Sequence, residues 1–238
     1  MSEPGRHPSS LAGQRILVVA PHPDDEALGC GGLIAELAAA GRCFHILFVT
    51  DGGASHPASR TWSRKRLAMQ REREAAEALA RLGAGDQPRT FLRLPDAAMP
   101  PRGEPAHAEA LDRTVALVRE FGPDLALLPW RRDPHCDHRG SWHLVTEALE
   151  SVAAPARTLE YAIWLDELGA PADRPEPGEA ELVVFDLTPE AAARKLSAVD
   201  AHLSQTGKLI DDDPTGFCLS PETIRRLTGP REAYWRIR

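Results

Sequence analysis

Residues 15–26, RILVVAPHPDDE, restrict the fold more than any other stretch. Four consecutive apolar residues, Ile16 to Val19, include three β-branched ones and have the make-up of a strand buried on both faces of a sheet. Pro21-His22-Pro23 then forces an extended exit, because each proline fixes its own φ and restricts the residue before it. Asp24, Asp25 and Glu26 follow, and 27–40 reads as a helix with Leu28, Leu33, Ile34 and Leu37 on its apolar face. Three carboxylates and an imidazole thus gather where a buried strand hands over to a helix, the edge at which open α/β sheets bind ligands. Acidic residues in a first turn also cap free N–H groups and oppose the helix dipole. One aspartate needs no other reason. Two, with a glutamate and a histidine between prolines, exceed what capping requires.

The alternation continues down the chain. Strands are expected at 44–50, 90–94, 124–130, 158–165 and 182–187. Helices are expected at 65–82, through Leu111, Val115 and Val118, at 141–152 and at 189–204. The basic front of the 65–82 helix reads mainly as a solvated face paired with Glu72, Glu74 and Glu77. The segments 54–66, 97–105 and 169–180 read as loops. The remainder after 204, with Asp211-Asp212-Asp213-Pro214, reads as loop and short elements. Strands alternating with helices imply right-handed crossovers and an α/β fold, a largely parallel sheet covered on both faces. A chain of 238 residues, 42% apolar, can bury such a core in one domain. Residues 1–13 read as a flexible tail and 14–238 as the domain.

Composition narrows the function classes. A net charge of −7 argues against a general nucleic-acid binder and against attraction to anionic lipid. No apolar run approaches the roughly 20 residues of a membrane span, and the N-terminus lacks the basic-then-apolar pattern of a secretory signal. Four cysteines lie far apart with no CxxC pair, so no disulfide framework is expected and a reducing cytoplasm is the default. GxGxxG, GxxxxGK[ST] and GxSxG are all absent, which disfavours a dinucleotide fold, a P-loop and a serine hydrolase.

A second polar cluster, RRDPHCDHRG, follows the fourth strand. Loops after strands one and four leave a parallel sheet at the same edge, so His22, Asp24 and Asp25 are expected near His135, Asp137 and His138. Two histidines and a carboxylate with an open fourth position form a common catalytic zinc site, and nitrogen and oxygen donors suit zinc better than magnesium or calcium.

PHPDDE after the first strand and HCDH after the fourth resemble the LmbE-like, or PIG-L, family of zinc-dependent N-deacetylases. Weaker matches are Arg71-x-x-Glu74, Leu82-Gly83, Pro95-Asp96 and Ser204-Gln205. The resemblance implies a Rossmann-like three-layer αβα sandwich holding one Zn2+ per chain, with other divalent transition metals compatible. It implies His22, Asp25 and His138 as metal ligands and Asp24 as the general base. His135 would polarise the amide carbonyl, Asp137 would orient His135 and keep it charged, and Arg71 and Asp96 match sugar-contacting positions. The implied partner is a small-molecule amino sugar, and a homo-oligomer is compatible, since related enzymes often assemble. Cys136 stands where the family usually has proline and reads as a small apolar substitute turned away. His45 and His143 read as structural and His56 and His107 as loop residues, while His202 is a candidate to approach the site.

Three readings compete. The first is a zinc hydrolase removing acetyl from an N-acetylglucosamine-like unit. The second is a metal-dependent amidase cutting a larger amide, such as a thiol conjugate, beside an amino sugar. The third is a metal- or nucleotide-binding module with Asp96 in the place of a receiver's phosphoryl acceptor; such a module has no use for His22, His135 and His138 together.

Overall fold

The computed structural model describes residues 5–153 and 156–238. The chain runs β1 (Arg15–Ala20), α1 (Asp25–Ala39), β2 (Cys43–Thr50), α2 (Arg64–Arg81), β3 (Arg89–Leu94), α3 (Pro105–Phe121), β4 (Leu125–Pro129) and α4 (Cys136–Ser151). It continues through β5 (Arg157–Tyr161), α5 (Leu165–Leu168), β6 (Ala180–Asp186), α6 (Pro189–Val199), α7 (Pro221–Leu227) and β7 (Arg231–Ile237). The strands form one seven-stranded sheet in the order β3-β2-β1-β4-β5-β7-β6. The first five of these are parallel, and β7 runs antiparallel to both of its neighbours.

β1 lies between β2 and β4, with Val18 in register with Ile46 on one side and Leu127 on the other. Its apolar run is continuous because both faces are covered. Ile16, Val18 and Ala20 pack into the core beneath α1, α2 and α6, whereas Leu17 and Val19 pack into the core beneath α3 and α4. The result is the expected three-layer α/β sandwich. From β1 the chain winds outward through β2 and β3, then returns to start β4 on the other side of β1. The carboxyl ends of β1 and β4 therefore flank a switch point, where outgoing loops diverge and leave a crevice.

Several boundaries differ from expectation. α4 begins at Cys136 rather than near residue 141, so HCDH is itself a helix cap and first turn, with His135 at the N-cap accepting from Asp137 N–H. β5 stops at Tyr161, α6 stops at Val199, and His107 lies inside α3. The C-terminal stretch expected as loop supplies α7 and β7. In β7, REAYWRI, the buried Glu232 breaks the apolar alternation that announces a strand; its carboxylate takes Lys195 Nζ at 2.6 Å and Leu33 N–H at 2.9 Å. The tail expected over 1–13 falls partly outside the described residues. Among the described residues of this stretch, Arg6 N–H donates to Val184 O and Asp186 N–H to Arg6 O.

Candidate active site

The prolines after β1 deliver His22, Asp24 and Asp25 to the switch point. Asp24 occupies the N-cap of α1, but its side chain makes no cap hydrogen bond, so capping does not account for it. Its backbone sits at φ 146°, a region that L-residues rarely occupy and that costs of order 1–3 kcal/mol. The Arg71 guanidinium lies 3.1 Å from its carboxylate. Arg71 also donates to Pro23 O and, at 2.9 Å, to Gly52 O. Gly52 has φ 61° and a Cβ there would press on the guanidinium, so the turn after β2 needs glycine twice over.

β4 delivers the other half. Asp25 Oδ2 lies 3.2 Å from His22 Nδ1 and 3.3 Å from His138 Nε2, so the three expected ligands converge on one point. The donor atoms of His22, His135 and His138 lie within 4.8 Å of one another, as do those of His22, Asp96 and Asp137. Five carboxylates (Asp24, Asp25, Asp96, Asp133, Asp137) surround these imidazoles, all of them buried.

The protonation states follow from that crowding. Burial opposes charge on His22, but hydrogen bonds to Asp137, Asp25 and Asp96 outweigh it and hold the ring well above its usual range. His138 behaves alike: burial lowers it, Asp25 and Asp133 prevail, and it stands at about 9. Burial favours the neutral acid at Asp25, Asp96 and Asp137, yet the neighbouring imidazoles bring all three below the usual carboxylate range. Asp24 goes the other way, pushed up by burial to about 6 against the pull of Arg71. His135 is lowered, by burial first and by His22 and His138 next.

The donors fit a divalent transition metal. Neither ring nitrogen of the fully buried His138 makes a hydrogen bond, although Asp25 and Asp133 oxygens lie at 3.3 and 3.4 Å. Excess carboxylate around a buried imidazole whose ring nitrogens make no hydrogen bond is the donor chemistry a zinc-type ion requires.

Each sequence candidate is found at the site, though not always as expected. The Asp137 carboxylate faces His22 Nε2 at 3.0 Å and Ala97 N–H at 2.8 Å. Asp137 orients His135 through its main chain instead, its N–H donating to His135 Nδ1 at 3.2 Å. With Nδ1 accepting, the neutral ring presents Nε2–H as a donor. Asp96 lies 3.3 Å from His22 Nε2 and accepts from Ala54 N–H at 2.8 Å. Cys136 is exposed; its thiol is raised by burial and by Asp137, which keeps it protonated near neutrality.

Sequence reasoning missed Asp133, which lies in the quoted RRDPHCDHRG but looks like an ordinary turn acid. It backs His138 and accepts from Ile163 and Trp164 N–H at 3.2 Å each. The weak motifs also acquire a reason: Glu74 of α2 accepts from Ser204 N–H at 3.0 Å and Oγ–H at 2.6 Å, which sets Gln205 in the cleft wall. His202 is fully buried and faces Glu26 at 3.3 Å.

A switch-point crevice in an αβα sandwich, with a metal-type cluster at its floor, defines a class of metal-site α/β proteins. Within it, the PIG-L family profile, described as GlcNAc-PI de-N-acetylase, matches residues 17–149, more than half the chain, and the protein belongs to that family. A 1D-myo-inositol 2-acetamido-2-deoxy-alpha-D-glucopyranoside deacetylase from Rhodococcus opacus is 31% identical over 164 residues, 59% of this chain and 55% of the relative. A diacetylchitobiose deacetylase from Thermococcus kodakarensis is 30% identical over 153 residues, 60% and 51% of the two chains. The chain thus spans about half the length of these curated relatives. Among solved structures, the zinc inhibited form of teicoplanin deacetylase Orf2 shares the fold at TM-score 0.68 and 18% identity, over 94% of this chain and 98% of that one. No helix among the described residues is long and apolar enough to cross a membrane.

Proposed function

We propose that the protein is a zinc-dependent hydrolase that removes the acetyl group from the nitrogen of an N-acetylglucosamine-type unit in a small molecule or glycoconjugate. The observation that carries this reading is the placement of Asp24. It is a buried carboxylate with a raised pKa, unused as a cap, adjoining the convergent donors of His22, Asp25 and His138. The names of the curated relatives support the acetamido sugar, and the two imidazoles and one carboxylate that converge at the cleft floor support zinc as the metal.

His22, Asp25 and His138 would hold the ion. When bound, it supplies Lewis acidity, which lowers the pKa of a water to roughly 7 and polarises an amide carbonyl. Asp24 takes the proton from the attacking water and returns it to the amine nitrogen as the C–N bond breaks. Arg71, at 3.1 Å, keeps the Asp24 carboxylate turned into the cleft. His135 lines the same cleft and offers Nε2–H to the carbonyl oxygen as charge develops there. Asp137 fixes the HCDH turn to the Ala97 loop, and Arg71 and Asp96 border the space left for the sugar.

The test is metal analysis of the purified protein combined with a chelator experiment. Bound zinc, with acetate release lost on chelation and regained with one equivalent of zinc, supports the reading. Magnesium as the resident ion, or chelator-resistant acetate release, contradicts it.

A further inference from the structure

The floor of the cleft is acidic, but one wall of its mouth is apolar. Trp164, Leu168 and Phe217 line the same cleft of about 490 Å³ as Asp24 and His135. Leu168 is 67% exposed and Phe217 37% exposed. The Trp164 and Phe217 rings meet edge to face at 5.7 Å.

This wall is anchored at both ends. Trp164 N–H donates to Asp133, the carboxylate behind His138, so the wall and the metal-ligand turn share one fixed acid. Phe217 N–H donates to Ser55 O at 2.7 Å. Nearby, Asp213 accepts from Ala58 N–H at 2.9 Å, and Asp212 accepts from Arg60 and Thr61 N–H at 2.9 Å each. His56 packs over Gly216, leaving no room for a Cβ. Large apolar side chains held open to solvent by this many constraints are preorganised for a ligand.

The charges of the cleft exclude one ligand class. Arg71 is the single guanidinium among its described lining residues, there is no lysine, and the donors of Arg71 are engaged by Asp24, Pro23 O and Gly52 O. Asp24, Asp25 and Asp96 face the same space. Apart from the proposed metal ion and His22, whose ring nitrogens are engaged by Asp25, Asp137 and Asp96, a phosphate would meet carboxylates and find no free cationic side chain among the described lining residues.

We propose that the substrate carries an apolar group beside its amide-bearing sugar, and no phosphate, and that this group lies on the Trp164–Leu168–Phe217 wall. The proposal rests on the hydrolase reading above and refines its substrate. The apolar group is either the aglycone of the sugar or an acyl chain on its nitrogen, which would then stand in place of acetyl as the group the hydrolase removes.

Calorimetry on the metal-loaded full chain separates the two sources. One arm compares phenyl and methyl glycosides of N-acetylglucosamine. The other compares N-hexanoyl and N-acetyl forms of the methyl glycoside. In at least one arm the apolar ligand should bind about tenfold more tightly, the gain from burying roughly 55 Å² of apolar surface at about 25 cal/mol per Å². Its heat-capacity change should also be more negative. Leu168→Ser with Phe217→Ser should reduce that preference to about twofold or less. Leu168→Ser alone, at the most exposed of the three positions, should reduce it partway and serves if the double variant does not fold. Equal affinities in both arms, or tighter binding of a nucleoside-diphosphate-linked N-acetylglucosamine, overturn the proposal. Hydrolysis is followed in the same samples. Apolar preference without any amide cleavage supports the wall and defeats the hydrolase reading. Cleavage without preference does the reverse.

Discussion

The main-chain N–H of Asp24 donates to Glu26 Oε2 at 3.0 Å, while Asp24 itself is held at φ 146°. Glu26 therefore stabilises the one strained residue of the PHPDDE turn, and that residue is the proposed base. The other Glu26 oxygen lies 3.3 Å from His202 Nε2, and both side chains are fully buried. Glu26→Ala removes the acceptor and lets the turn relax. Steady-state kinetics should show kcat falling roughly 10- to 100-fold, the equivalent of about 1–3 kcal/mol of released strain, with KM and bound metal changing far less. Metal loss in parallel with kcat would assign Glu26 to the ligand turn as a whole.

The pH profile has a defined sign. Burial raises Asp24 to about 6, and the base is active only when ionised. Activity should fall as pH drops through about 6, and a bound cation, which favours the carboxylate, moves that limb lower still. A kcat/KM profile measured from pH 4 to 8 checks this; a limb well above pH 7 would point to another group.

Asp133 faces His138 Nδ1 at 3.4 Å and ties the HCDH turn to residues 163 and 164. Carboxylates behind a ligating histidine fix its tautomer and orientation. Asp133→Asn should weaken zinc affinity about 10- to 100-fold in a chelator competition, with a smaller effect on kcat at saturating zinc.

Gly29 lies on α1 against the buried Tyr161 ring, whose hydroxyl donates to Val19 O at 2.6 Å. An alanine there gains about 1 kcal/mol of helix propensity, but its Cβ overlaps the ring. The overlap decides the sign, at about 1–3 kcal/mol of overpacking. Gly29→Ala should lower Tm by a few degrees, at roughly 2–4 °C per kcal/mol for a chain of this size. A raised Tm would show that Tyr161 can yield.

The legible parts of the sequence were those where one physical requirement acts alone. β1 and β4 are buried on both faces, so their apolar runs are continuous, and the polar clusters after them were visible by contrast. β7 was hidden because its buried face includes Glu232, neutralised by Lys195 of α6, a partner that only the folded chain supplies. Asp133 and Glu26 were hidden for the opposite reason, since acids in turns and at helix starts are common for local reasons. The apolar wall combines residue 217 with 164 and 168, which no local pattern connects. Asp137 lies among the clustered histidines and carboxylates, but its carboxylate and its main-chain N–H serve different partners, a division that residue type does not reveal.

The most direct measurement is acetate release by the zinc-loaded protein from a panel of N-acetylated amino sugars, with Asp24→Asn run beside it. The variant keeps the volume of the side chain and removes its ability to accept a proton. Acetate is expected from at least one member of the panel, with a loss of about 10²-fold or more in Asp24→Asn and with zinc content and Tm retained. A folded, zinc-loaded protein that releases no acetate, or a variant as active as the parent, would contradict it.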